Sequence, residues 1–421
     1  MLGMAGNNNN DLIEMNRSAV VKILQQREIC SRADIAKETG LTQAAITKIV
    51  AALIEMGIVA EVGFMRGNGN RRSIGLRLNS EKHQIIGIKF ARHVFSVGVF
   101  DISGKIYEQT ESEYSSLEDR LVVLSAIKKQ VRDMLGKYES VVAIGLAVPG
   151  PYLIEEGRIA VVTQMPAWQD INFIKEFKDE FHKGVFIVHD ANAGALAEWW
   201  FGNHTRPLHT LVYFLLGEGV GAGVIERGNL LLGAQGTACE IGHVSVDVHG
   251  PRCECGNYGC LEMYCSVPAM LKKAQQYIPE CIPKKWERSY DACNTIFDAA
   301  RDGNQKALDI VHELAEYIGY GCVTLINSYN PDVITIGDSL SQGGDLMLPI
   351  IQDVVKQRVI CELYDKVQIK ITDLKVDPTL YGAAARATDK VLLQPSAFSV
   401  SINKKDTARI ENEAVGYANA I

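Results

Sequence analysis

No apolar run in this chain of 421 residues reaches the roughly 20 residues that a membrane-spanning helix needs, so no membrane insertion is expected. The first ten residues lack both a basic start and an apolar core. Met1–Asn10 is polar and Asn-rich, which is not the pattern of a signal peptide. Ten cysteines without an export signal then point to a reducing cytoplasm, where thiols serve as metal ligands or core residues. Low-complexity linkers and short internal repeats are also missing, which excludes a repeat array. An even spread of charge is missing too. The net charge is −7, yet residues 1–80 hold ten Lys or Arg against seven Asp or Glu, a balance of +3, and the remaining 341 carry 33 against 43. With 47% hydrophobic and 22% charged residues, the chain has the makings of two or three domains: a small basic module joined to a larger acidic body.

In the basic module, Val20, Ile23 and Leu24 fit one face of a first helix, and Ile35 and Ala36 fit a short second helix ending at Gly40. Thr42 is placed to cap a third helix, whose stripe of Ile46, Ile49, Val50, Leu53 and Ile54 ends near Gly57. Its opposite face offers Gln43, Ala44, Thr47 and Lys48, residue types that meet base edges and phosphates from a recognition helix in the major groove. Two strand-like runs follow, at 58–62 and 74–78, around a loop containing Arg66, Arg71 and Arg72. This is the pattern of a winged helix-turn-helix with a basic wing, so operator DNA is the expected partner. The alternative is a three-helix module whose hairpin is merely solvated.

The densest chemistry lies further on. Glu240-Ile241-Gly242-His243 is followed by Cys253-Glu254-Cys255-Gly256-Asn257-Tyr258-Gly259-Cys260-Leu261-Glu262. One imidazole and three thiols, His243, Cys253, Cys255 and Cys260, make a closed tetrahedral set, the donor pattern of a structural zinc, one per chain. A disulfide or three unrelated buried thiols are the competing readings. Cys239 and Cys265 flank the set and are expected to be buried instead. Glu240, His243 and Glu262 are close enough in sequence to border one pocket.

From residue 84 onward, strands and helices alternate: 85–90, 95–100, a helix over 121–135, then strands over 141–148, 185–189 and 211–216. A helix over 305–327, strands over 333–336 and 367–371, and a helix from Tyr381 complete an α/β body.

The N-terminal module, the Cys/His motif, Asp190-Ala191-Asn192-Ala193 and the loop Leu216-Gly217-Glu218-Gly219-Val220-Gly221-Ala222-Gly223 together resemble the ROK family of repressors, open reading frames and kinases, over residues 11 to about 390. The resemblance implies an α/β actin-like ATPase (ribonuclease H-like) body of two lobes, preceded by an α+β winged helix-turn-helix domain. It divides the chain into a DNA-binding domain at 11–80, a first lobe at 81–190 completed by a helix at about 380–390, a second lobe at 191–379 and a tail of unknown role at 391–421. Members with the winged module are typically sugar-responsive transcriptional repressors; members without it are commonly sugar kinases. The family's zinc ligands fall on His243, Cys253, Cys255 and Cys260, its sugar contacts on Glu240, His243 and Glu262, and its kinase base on Asp190. The residue-level alternative for Asp190 is a helix N-cap, and for Glu240 and Glu262 a hydrogen bond that stiffens the metal loop. A sugar or sugar phosphate is the implied effector, and the assembly is a homodimer or a tetramer.

The phosphate-handling positions depart from the kinase pattern. Where kinases carry an Asp-x-Gly-Gly-Thr turn, this chain reads Lys89-Phe90-Ala91-Arg92-His93. Side chains then intrude on the space a phosphate needs, and a Lys replaces the acid that helps organise the metal-bound nucleotide. Glu218 stands where a Gly-Thr-Gly hydroxyl would meet phosphate, and Gly337-Asp338-Ser339 replaces a glycine run. His189 replaces a sugar-contacting Asn, and the altered stretch around Gln164 leaves that residue as a further contact. The expectation is a repressor that keeps the sugar pocket and has lost catalysis; the alternatives are an active sugar kinase with a DNA-binding domain, or a repressor governed by a protein partner.

Overall fold

The computed structural model describes residues 9–66, 72–114, 119–153, 156–160, 168–205, 208–282, 289–393 and 395. Helices α1 (Asn9–Arg27), α2 (Arg32–Thr39) and α3 (Gln43–Glu55) pack with a small sheet of order β1-β3-β2, made of β1 (Cys30–Ser31), β2 (Val59–Arg66) and β3 (Arg72–Leu78). Local signals set the boundaries. The Ser31 side chain and Asp34 form a capping box at the start of α2, and Gly40 ends it with φ +70°. The Thr42 hydroxyl accepts from the Ala45 N–H and caps α3. Ile46, Val50 and Leu53 are fully buried, each contributing about 1.5–3 kcal/mol of transfer free energy, while Ile49 and Ile54 pack at the rim. Both wing strands are longer than the sequence pattern suggested, because Phe64, Met65 and Arg66 continue the pairing past a register shift onto Ile74, Ser73 and Arg72.

The body contains two sheets of identical topology. The first has the order β10-β7-β4-β5-β6: β4 (Gln84–Phe90), β5 (Val94–Asp101) and β6 (Ile106–Glu113) form an antiparallel meander, and β7 (Val141–Val148) and β10 (Gly184–His189) add in parallel beside β4, while β8 (Tyr152–Leu153) and β9 (Arg158–Ile159) pair with each other apart from it. The second, of order β13-β12-β11-β14-β15, repeats this plan: β11 (Thr210–Leu216), β12 (Val220–Glu226) and β13 (Asn229–Leu230) form the meander, with β14 (Val333–Gly337) and β15 (Gln368–Ile371) added in parallel. Each sheet is buried by its helices, α4 (Arg120–Lys137) and α5 (Phe173–Phe181) on the first, α10 (Gln305–Tyr329) and α11 (Gly344–Arg358) on the second, whose core also takes in α8 (Val267–Tyr277), α9 (Ser289–Arg301) and the short α7 (Glu262–Cys265) and α12 (Cys361–Tyr364). Between the lobes, α6 (Asp190–Phe201) and α13 (Pro378–Leu393) cross in close contact, and α13 also lies on β7 and β4. This is the duplicated actin-like architecture.

Three expectations need correction. The stretch to Gly223, read as loop, turns at Gly217–Gly219 and then enters β12; its glycines serve packing, since a Cβ on Gly223 would stand 2.3 Å from the Ala191 carbonyl oxygen of α6. The last helix begins at Pro378 rather than Tyr381 and runs to Leu393, so the first residues assigned to a tail belong to it. Of that tail, residues 394 and 396–421 lie outside the described residues. β6, which no sequence signal marked, is an edge strand with only modest alternation. No helix among the described residues is long and apolar enough to cross a membrane.

Candidate functional site

On α3, Gln43, Ala44, Thr47 and Lys48 are all exposed and share the face opposite the buried Ile46, Val50 and Leu53. The Thr47 hydroxyl donates to the Gln43 carbonyl at 2.8 Å. Arg66 and Arg72 are direct backbone partners where the wing strands end; their side chains, like Arg71 as a whole, lie outside the described residues. Gln164 also falls outside them.

The metal-loop residues converge. The donor atoms of His243, Cys253, Cys255 and Cys260 all lie within 4.8 Å of one another. Cys255 Sγ stands 3.7 Å from Cys260 Sγ, and Cys253 Sγ stands 3.8 Å from His243 Nδ1. Two ligands about 2.3 Å from one ion at a tetrahedral angle are about 3.8 Å apart, so the spacing fits a single shared metal and no disulfide is formed. Backbone bonds from Cys253 N–H to Asn257 O (2.8 Å) and from Gly259 N–H to Pro251 O (2.8 Å) fold the loop. Gly259, at φ +63°, is required because a Cβ there would stand 1.6 Å from the Asp247 carbonyl oxygen. Cys265 is buried as expected; Cys239 is only half-buried, its thiol donating to the Tyr329 hydroxyl at 3.2 Å.

Glu240 and His243 bracket a short 3-10 turn, and Glu262 starts the helix that follows the last thiol, so one loop carries both the cluster and the acids. Glu262 Oε2 accepts from the Val220 N–H at 3.0 Å, which ties the loop to the start of β12. Burial pushes the carboxyls of Glu240 and Glu262 upward, against the pull of His189 and His243 on the first and of the Val220 N–H and His243 on the second. Glu240 Oε1 is buried without a hydrogen-bond partner. From the other side, β10 delivers His189 and α6 delivers Asp190, with His189 Nε2 3.0 Å from Asp190 Oδ1. Burial pulls the imidazole down, but Asp190 and Glu240 outweigh it and hold His189 above its usual range. Asp190 is not the N-cap of α6. His189 holds that position without a side-chain bond, and Asp190, as the first helical residue, accepts from the Ala191 N–H.

Beyond Asp190 the cleft is filled by side chains. Lys89 Nζ lies 2.5 Å from Asp377 Oδ2, and its own side chain is only 12% exposed. Burial pulls this amine down, while Asp377, Asp338 and Asp190 hold it above its usual range. Arg92 sits at the hairpin turn between β4 and β5, and Glu218 at the topologically equivalent turn between β11 and β12. Arg92 Nη1 meets Glu218 Oε2 at 2.9 Å, so the two hairpin tips are clasped across the cleft. Asp338, at φ +72°, accepts from the Ser339 N–H and lies over Gly217. Burial pushes the Glu218 and Asp338 carboxyls upward, opposed by Arg92 and Lys89 respectively. No sequence signal marked Asp377 as a partner for Lys89, since 288 residues separate them.

The description "ROK family" matches residues 85–390, and "Winged helix-turn-helix DNA-binding" matches residues 16–60. A xylose repressor of Caldicellulosiruptor bescii is 29% identical over 392 residues, covering 91% of this chain and 98% of that protein. The DNA-binding transcriptional repressor Mlc of Escherichia coli K12 is 30% identical over 379 residues, covering 88% of this chain and 92% of its own. A solved ROK family transcriptional regulator, a homologue of the E. coli Mlc protein, superposes with TM-score 0.76 at 26% identity over 93% of this chain and all of its own.

Proposed function

The chain belongs to the ROK family, and from that premise we propose that it is a sugar-responsive DNA-binding transcriptional repressor of carbohydrate uptake or metabolism genes. In this reading it works in the cytoplasm, as a homodimer or tetramer, and is not an enzyme. The observation that carries the choice over a kinase is the clasp. Arg92 and Glu218 occupy the two hairpin tips that would cradle a nucleotide, and Lys89 with Asp377 occupies the space where an acid would organise its metal.

The sugar lies among Asp190, Glu240, His243 and Glu262. Carboxylate oxygens there accept hydrogen bonds from its hydroxyls, and the unpartnered Oε1 of Glu240 is one such acceptor. One zinc per chain would be held by His243, Cys253, Cys255 and Cys260. Four protein ligands leave no open position, so the ion's chemistry is to fix the shape of the loop. His243 Nδ1 stands 3.8 Å from Cys253 Sγ and would be the nitrogen facing the metal, which would leave Nε2 as a donor for the sugar. Gln43, Ala44, Thr47 and Lys48 read the major groove, and Arg66, Arg71 and Arg72 add salt-sensitive affinity from the wing. The sugar releases DNA only if it prefers the conformation of low operator affinity, and operator DNA must then weaken sugar binding by the same factor.

Selection of binding sites from random duplex DNA tests the reading. The full-length chain is expected to enrich paired half-sites about one helical turn apart, or a multiple of it, and ATP-dependent phosphorylation of a sugar panel is expected to be undetectable. Specific DNA binding by a chain lacking residues 1–80, or sugar phosphorylation by the full chain, would sink it.

A further inference from the structure

We propose that the effector is a neutral, unphosphorylated sugar, and that the Arg92–Glu218 clasp is what excludes the phosphorylated form. The inference rests on the sugar-sensor reading above and narrows it. Every group the pocket turns toward a ligand has to be matched in donors and acceptors. Asp190, Glu240 and Glu262 are carboxylates, and Glu240 Oε1 is buried with no donor. A sugar hydroxyl supplies a proton to such an oxygen; a phosphate dianion supplies none.

A phosphate needs cations, and among the described residues Lys89 and Arg92 are the two at the clasped end of the cleft. Both are already committed. Lys89 is paired with Asp377 at 2.5 Å and also feels Asp338 and Asp190, and Arg92 is paired with Glu218 at 2.9 Å and also acts on Glu262. Freeing Arg92 for a phosphate would strand Glu218, whose side chain is 27% exposed, beside both the new dianion and Asp338. The local balance is six carboxyls, from Asp190, Glu218, Glu240, Glu262, Asp338 and Asp377, against two permanent cations and the His189 and His243 imidazoles. A phosphate ester whose phosphate lies at this end of the cleft therefore meets like charge. One like-charge contact at about 4 Å in a partly buried site lowers affinity by more than a factor of about ten.

The test is calorimetric titration of the full-length zinc-loaded protein with matched probes: glucose and glucose 6-phosphate, N-acetylglucosamine and its 6-phosphate, xylose, and inorganic phosphate. At least one free sugar is expected to bind more than about tenfold tighter than its phosphate ester, and inorganic phosphate is expected not to compete with it. Glu218→Gln, which keeps the shape but frees Arg92, is expected to shrink that ratio about tenfold or more by strengthening phosphate-ester binding. Tighter binding of a phosphate ester than of its free sugar by the unaltered protein would overturn the proposal and leave the sensor reading standing. A Glu218→Gln protein that retains its zinc and its unfolding temperature but keeps the original ratio would overturn the role of the clasp. If no sugar in either form binds, the sensor reading falls and this proposal falls with it.

Discussion

Replacing Lys89 by Met tests whether the cleft is held by charge. The ammonium is 12% exposed and sits 2.5 Å from Asp377, with Asp338 and Asp190 also acting on it. Removing one member of a buried pair costs roughly 3–5 kcal/mol, chiefly because the remaining charge is left uncompensated. Two features place this case at the lower end. Asp377 is 33% exposed, and its Oδ1 keeps the N–H groups of Thr379 and Leu380 at 2.9 and 3.0 Å. A loss of about 3 kcal/mol follows. For a cooperative unit of 150–250 residues, at about 2–4 °C per kcal/mol, Tm of the body falls by roughly 6–12 °C. Scanning calorimetry of Lys89→Met, Asp377→Asn and the double variant supplies the check, and the double variant is expected to lose less than the two single losses combined. A Lys89→Met protein melting within about 1 °C of the parent, or strict additivity, would refute the argument that the pair holds the cleft.

Four further outcomes are expected. Cys255→Ser should lose its metal and weaken the response to sugar, because metal binding and loop folding are coupled; elemental analysis showing full zinc occupancy would contradict the ligand set. Glu262→Ala should leave operator affinity nearly unchanged but abolish induction, and a variant that still responds at the original sugar concentration would move the sensor elsewhere. Arg72→Ala should flatten the salt dependence of DNA binding by about one unit of slope, while Gln43→Ala should change base preference more than slope, both read from titrations at several salt concentrations. Glu198 is fully buried on α6, bonded to the Thr372 hydroxyl at 2.5 Å, and burial raises its pKa. The folded state then holds its proton longer than the unfolded state, so the contribution of Glu198 to stability is complete below its unfolded value, about pH 4.3, and is lost as pH rises through the raised folded value; Glu198→Gln should remove that decline from the pH dependence of unfolding.

What the sequence determined by itself was what nearest neighbours along the chain decide. The caps at Ser31 and Thr42, the stop at Gly40 and the 3.6-residue stripe on α3 are local, so three helices and their exposed face could be read directly. The metal set was legible because its four donors lie within 18 residues, and loop closure over so short a span costs little. The two lobes share one topology without a readable repeat, since a sheet constrains which faces are apolar far more than which residues fill them. Only tertiary structure brought Lys89 to Asp377 and Arg92 to Glu218, across 288 and 126 residues. Sequence showed unfamiliar side chains at both phosphate turns; it could not show that the turns face each other. Opposite charges 2.9 Å apart become a partnership only when two separately folded hairpins are set tip to tip, and that placement comes from the packing of α6 against α13.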